Sequence, residues 1–189
     1  FCTTLLCVAL LRPVSDRLGL VDNPDQRKNH AGAVPLVGGI AIWAAFSICL
    51  LFIGITPKLA VLLGSGGLLM LVGAVDDAKD LSPKLRLALH ILAALFMCVL
   101  GGVVVSSLGD LIIPGKELNL GFVAVPFTVF AVVALINASN MSDGLDGLCG
   151  LQMLIPLAGL AAISGIKGNH EHFLPLLAIC GSLVAFLLF

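Results

Sequence analysis

Apolar residues in this chain of 189 fall into long blocks separated by short polar stretches. Runs without Asp, Glu, Lys or Arg occupy positions 36–55, 59–75, 87–105, 122–136, 148–166 and 173–189, and another opens the chain at 1–11. A helix rises about 1.5 Å per residue, so roughly 20 residues cross a hydrocarbon layer about 30 Å thick. The pattern predicts an all-α fold, a polytopic transmembrane helix bundle of about seven membrane segments. The run at 1–11 is too short to span, and 173–189 is expected to be incomplete. Residues 1–189 are accordingly read as a single integral membrane domain, the N-terminal and central part of a longer chain cut at both ends. Gly64, Gly66, Gly67 and Gly73 in the run at 59–75 let neighbouring helices approach closely. Pro114-Gly115 marks a turn in the loop at 106–121.

The polar stretches carry more information than the apolar ones. Asn137 to Leu148 reads Asn-Ala-Ser-Asn-Met-Ser-Asp-Gly-Leu-Asp-Gly-Leu. Asn137 and Asn140 stand three apart, as do Asp143 and Asp146, with Gly144 and Gly147 directly after the two Asp. A polar turn capped by carboxamides is the plain reading. A turn needs neither paired Asp nor this regular spacing, so a polar site at the membrane surface accounts for more of the stretch.

Composition sharpens the class. The chain is 59% hydrophobic and 11% charged, with mean hydropathy +1.14, whereas soluble domains carry about 25% charged residues. Net charge is −1, which leaves no basic footprint for nucleic acid. The six cysteines are scattered through apolar runs without a Cys-x-x-Cys pair, as suits small core residues.

Charge also sets an orientation. Counted from the first helix, the odd-numbered connections are 12–35, 76–86 and 137–147. They hold Arg12, Arg17, Arg27, Lys28, Lys79, Lys84 and Arg86, while Lys58, Lys116 and Lys167 lie on the opposite side. Positively charged loops face the cytoplasm, so the first set is expected there. Eight of the eleven acids share that side: Asp16, Asp22, Asp25, Asp76, Asp77, Asp80, Asp143 and Asp146. Acids contribute little to orientation, so their gathering on one face points to chemistry.

Asp76, Asp77 and Asp80 form the densest cluster. If the helix of 59–75 continues one turn, Asp80 stacks over Asp76 and lies near Asp77. Like charges so placed repel and call for a cation; Mg²⁺ with a phosphorylated substrate is the usual partner of oxygen ligands. A solvated helix end near Lys79 and Lys84 is the plainer reading. The first cytoplasmic loop offers Arg27, Lys28 and His30. Adjacent cations suit phosphate binding, and equally suit a juxtamembrane cluster touching anionic lipid. His90, inside an apolar run, is read as a core histidine. The sequons at Asn137 and Asn140 face the wrong side for glycosylation.

Together the three cytoplasmic stretches resemble one family. The residues Asp22-Asn23-Pro24, Arg27-Lys28-Asn29-His30 and Pro35-Leu36-Val37-Gly38-Gly39, then Asp76-Asp77-Ala78-Lys79-Asp80, then Asn137 to Leu148, are similar in order and spacing to the polyprenyl-phosphate N-acetylhexosamine-1-phosphate transferases, glycosyltransferase family 4. The Val34-to-Gly39 segment looks like the branch that transfers N-acetylglucosamine 1-phosphate to undecaprenyl phosphate. The resemblance implies transfer from UDP-GlcNAc to a polyprenyl phosphate lipid with release of UMP, the first membrane step of a cell-envelope glycan such as lipopolysaccharide or teichoic acid. It implies Mg²⁺ or Mn²⁺ as cofactor and a multi-pass protein of the bacterial cytoplasmic membrane, with its site on the cytoplasmic face. A homodimer is compatible with it. By the same resemblance Asp76, Asp77, Asp80 and Asp143 are catalytic candidates. Arg27, Lys28, His30, Asn137, Gly144, Leu145 and Asp146 are substrate-binding candidates, Asp146 at the uracil. Asn140, Asp76 and Asp77 are the metal candidates, with a further ligand expected beyond residue 189 in a Phe-x-Gly-Asp type motif.

Two rival classes are weighed against this. A transporter or flippase for a phosphorylated substrate would carry ionisable residues in mid-helix, yet 36–55, 59–75 and 122–136 contain no charge. A scaffold subunit would leave the acids on one face unexplained. A related transferase using another UDP-N-acetylhexosamine would share all three motifs.

Overall fold

Proline and glycine punctuate the apolar blocks, and the helices begin and end beside them. The computed structural model describes residues 1–22, 34–110, 114–142 and 147–188. Eight α-helices lie among the described residues: α1 (Cys2–Leu11), α2 (Ser15–Leu18), α3 (Gly38–Ile53), α4 (Pro57–Lys79), α5 (Pro83–Gly101), α6 (Ala124–Ser142), α7 (Leu148–Ile166) and α8 (His170–Leu187). Pro57 and Pro83 stand first in α4 and α5, where the missing N–H costs nothing and φ is already helical. Two-residue strands β1 (Val21–Asp22) and β2 (Val34–Pro35) pair antiparallel. The Leu36 N–H, donating to the Leu20 carbonyl at 2.9 Å, extends that pairing.

The chain is an all-α, multi-pass membrane protein. Among the described residues, five helices are long and apolar enough to cross a membrane: α4, α5, α6 with the turn before it, α7 and α8. The apolar helices at 2–14 and 38–53 are shorter. Three boundaries differ from the sequence reading. First, α3 has 16 residues and occupies only the middle of 36–55. Pro35 is held in β2, and Gly54, at φ 109°, takes a conformation that ends the helix. Second, α8 begins at His170 and has 18 residues, enough to span, although 173–189 alone reads as incomplete. Third, α6 does not stop at Ile136 but runs on through the polar residues to Ser142.

Two compact units divide the described chain. In the first (Phe1–Ile55, Met70–Leu81 and Ser142–Phe189), α8 packs against α7, α3 and α1, and α1 also packs on α3. Its buried side chains include small or hydroxylic ones, Thr4, Ala41, Ala45, Ser182 and Ala185, beside Val37, Leu50 and Leu183. Membrane helices associate through close backbone approach, since lipid is as apolar as leucine. Gly38 illustrates this: the ring of Phe186 on α8 fills the space a Cβ would occupy. Gly150 meets Leu187 in the same way.

The second unit comprises Thr56–Leu69 and Ser82–Met141. A Cβ on Gly64 would lie 3.3 Å from the Phe96 ring, and one on Gly101 would lie 3.1 Å from Val61, so α4 and α5 also meet at glycines. After α5 the chain forms a narrow antiparallel turn, with Ser107 opposite Asn119 and Leu108 donating to the Leu118 carbonyl at 2.9 Å. Pro114 and Gly115 turn as expected, and the Gly115 N–H donates to Asp110 Oδ2 at 3.0 Å. The Val105 N–H donates to Thr128 Oγ1 at 2.9 Å and ties this segment to α6.

Several polar side chains on the spans bond inside their own helix. Ser47 donates to the Trp43 carbonyl at 2.7 Å, Ser65 to Val61 at 3.0 Å, Thr128 to Ala124 at 2.7 Å, Asn137 to Val133 at 2.8 Å and Ser182 to Ala178 at 3.0 Å. Where a membrane span offers no water, the carbonyl four residues back serves as acceptor instead.

Candidate functional site

The acidic cluster terminates α4. The helix continues past Val75 through Lys79 and carries Asp76, half-buried, and Asp77, exposed, on its last turn. Asp80 has left the helix, so it does not stack on Asp76 as a continued helix would require. It stands exposed at φ 49°, the one positive-φ residue other than glycine among the described residues. Its N–H still donates to the Asp76 carbonyl at 2.8 Å. The next N–H, that of Leu81, donates to the Asp76 carboxylate Oδ1 at 3.0 Å. Asp76 therefore receives both donors that follow the helix end.

The second cluster ends α6. Asn137 is half-buried and Asn140 exposed, three residues apart on adjoining positions of one helical face. This corrects the expectation that both lie in a connection between helices. An apolar groove of about 400 Å³ lies between α5 and α6, lined by Leu87, Ile91, Val129, Phe130, Val133 and Asn137 among others. Asn137 is the polar residue of that lining.

Ser142, the last residue of α6, donates through Oγ to Gln152 Oε1 at 3.1 Å. Gly147, at φ 75°, then starts α7, and a Cβ there would lie 3.2 Å from Leu187. The bond to Gln152 ties Ser142 to a side chain of α7. Gln152 sits in an apolar run without a motif around it, so no sequence signal singles it out.

Arg27, Lys28, His30, Asp143, Gly144, Leu145 and Asp146 lie outside the described residues. Among the described candidates, Asp76, Asp77 and Asp80 belong to the first compact unit, while Asn137 and Asn140 belong to the second. Each cluster stands at the C-terminal end of a membrane-crossing helix. His90 is buried on α5, in keeping with a core histidine.

No three His, Cys, Asp or Glu side chains gather as a ready ligand set among the described residues. Mg²⁺ does not require one. It keeps several waters and is held by one or two carboxylates together with substrate phosphates. An exposed carboxylate at a helix end, such as Asp77, meets that requirement in donor chemistry.

Comparison with known proteins gives a concordant result. The sequence model for "Glycosyl transferase family 4" matches residues 59–189. An undecaprenyl-phosphate alpha-N-acetylglucosaminyl 1-phosphate transferase of Salmonella typhi is 39% identical over 135 residues, which is 69% of this chain and 36% of that protein. The proteins of the same name from Escherichia coli strain K12 and Yersinia pestis are 38% and 36% identical over 135 and 137 residues, again 69% of this chain. The matched part of this chain thus spans about 36% of the length of these curated relatives. No solved structure matches the chain.

Proposed function

Because the chain belongs to glycosyl transferase family 4, we propose that it takes part in moving N-acetylglucosamine 1-phosphate from UDP-GlcNAc to undecaprenyl or another polyprenyl phosphate. The observation that carries this reading is the pair of polar clusters, Asp76-Asp77 and Asn137/Asn140, each ending an apolar helix that can cross a membrane. The names of the relatives supply the substrates. An acceptor phosphate oxygen attacks the β-phosphorus of the UDP-sugar, the bond from that phosphorus to the bridging oxygen breaks, and UMP leaves. Two anions meet in this reaction, so charge neutralisation dominates it.

The acceptor phosphate has a second pKa of about 6 and is already mostly a dianion at neutral pH. Its carboxylate partner therefore orients it more than it deprotonates it. Of the paired acids, Asp77 is the exposed one and takes this role. Asp77 would offer Mg²⁺ a carboxylate, and Asn140 and Asp143 are further candidates by the family resemblance. When bound, the ion neutralises charge on the pyrophosphate and the leaving UMP. Arg27, Lys28 and His30 would hold phosphate through fork and point-charge donors. Asn137, Gly144, Leu145 and Asp146 would receive the uridine. The cation bias supports a site facing the cytoplasm, and the bacterial relatives support the cytoplasmic membrane of a bacterium.

The test is Mg²⁺-dependent release of UMP from UDP-GlcNAc by membranes containing the protein, with and without polyprenyl phosphate. UMP release that requires the lipid supports the reading. Uptake or flipping of an intact substrate without UMP release would favour a transporter.

A further inference from the structure

Gln152 is the one carboxamide of α7, and it stands exposed on a helix that is otherwise almost wholly apolar. Such a group is costly in a membrane-crossing segment unless something uses it. Its Oε1 accepts from Ser142 Oγ at 3.1 Å. Ser142 is the residue directly before Asp143, and Gly147 the residue directly after Asp146. Gly147 and Gly150 both meet Leu187 of α8, whose Cδ2 would lie 3.2 Å and 2.7 Å from a Cβ added to them. Successive helical residues turn by about 100°, so Gly150 and Gln152 face nearly opposite ways, about 200° apart. The start of α7 is thus held by α8 on one side and by Ser142 on the other. Pro156 makes these holds matter more. It has no N–H, so the Gln152 carbonyl four residues back lacks its helical donor. The part of α7 before Pro156 is joined to the rest by one bond fewer, and its direction depends more on what grips it from the side.

We propose that Gln152 is a positioning residue for the UDP-sugar: through Ser142 it fixes the point from which the stretch Asp143 to Asp146 departs, while Leu187 fixes Gly147, the point to which it returns. This rests on the reading of Gly144, Leu145 and Asp146 as the uridine-binding residues of a transferase. The uridine is bound alike before and during phosphoryl transfer, so loss of the hold weakens binding of the UDP-sugar more than it slows turnover. The lipid acceptor does not depend on it. A merely structural role would act differently, lowering the active fraction and with it kcat, and leaving both KM values unchanged.

The experiment compares Gln152→Leu, Ser142→Ala, the double variant and Ser142→Thr in the purified protein in lipid nanodiscs. It follows UMP release while UDP-GlcNAc and polyprenyl phosphate are varied in turn. Each single variant should raise KM for UDP-GlcNAc about fivefold, the scale of one hydrogen bond, with kcat and KM for the lipid within about twofold of wild type. The double variant should be no worse than either single one, because both remove the same bond. Ser142→Thr keeps the hydroxyl and should stay within about twofold of wild type throughout. Unchanged KM for UDP-GlcNAc in Gln152→Leu, a loss confined to kcat, or single effects that multiply in the double variant overturns the proposal. A wild type that releases no UMP overturns the transferase reading and the positioning role with it, whereas an active wild type with multiplying variants overturns the positioning role alone.

Discussion

Gly38 and Gly39 stand side by side at the start of α3, and a methyl group added to each should have opposite effects. On Gly38 the new Cβ would overlap Cε2 of Phe186 and lie 3.0 Å from both Cδ2 and Cζ. On Gly39 it would meet nothing within 4 Å. Overpacking costs about 1–3 kcal/mol. Phe186 is 38% exposed, so its ring can turn aside, which puts the cost in the lower half of that range. Alanine returns up to about 1 kcal/mol of helix propensity over glycine in a helix interior, and less at a first helical position. Gly38→Ala should therefore destabilise by about 1 kcal/mol, and Gly39→Ala should be neutral or stabilise by up to about 1 kcal/mol. The assay is reversible unfolding in mixed detergent micelles, followed by circular dichroism. Combining Gly38→Ala with Phe186→Leu should recover much of the loss, because the cycle isolates that single contact. Equal stability of the two alanine variants would refute the seating of Phe186 on Gly38.

Three further outcomes are expected. Asp77→Asn keeps the volume and removes the charge, so UMP release should fall roughly 10²–10³-fold with the helical signal intact; near-wild-type turnover at saturating Mg²⁺ places Asp77 outside the site. At position 80 the backbone favours residues that accept a left-handed conformation, so Asp80→Gly should preserve the unfolding midpoint while Asp80→Val costs about 1–2 kcal/mol; equal midpoints would remove the conformational role. Thr128→Val deletes the acceptor of the Val105 N–H and should cost about 1–3 kcal/mol, seen as faster hydrogen exchange at Val105; unchanged exchange there would show that the bond does not hold the segment after α5.

The spans were largely legible in the sequence because bilayer thickness demands a minimum charge-free length, and α4, α5 and α7 meet it. Boundaries were less so. A helix ends where its backbone bonding ends, and hydropathy does not report that, so α6 runs six residues past Ile136 to Ser142. Its backbone stays bonded there whether its side chains are apolar or amide. The stacking of Asp80 over Asp76 depends on a helix that ends at Lys79: spacing reports a helical face only while the helix lasts, and position 80 stands at φ 49° in the turn that closes on Asp76. The bonds of Asp76 to Leu81 and Ser142 to Gln152 leave no periodic mark at all. Such contacts follow from where a chain end folds back, which no single residue type announces.

The hydroxyls and the amide that bond within their own helices have a consequence for how this protein is made. A span whose polar groups waited for a neighbouring helix would be costly in lipid until that neighbour arrived. Ser47, Ser65, Thr128, Asn137 and Ser182 each have an acceptor one turn back. The helices that carry the hydroxyls can therefore leave the translocation machinery singly, in chain order, with those hydroxyl donors already bonded. Assembly is then a later sorting by shape, to which close seats such as Phe186 on Gly38 and Leu187 on Gly150 contribute.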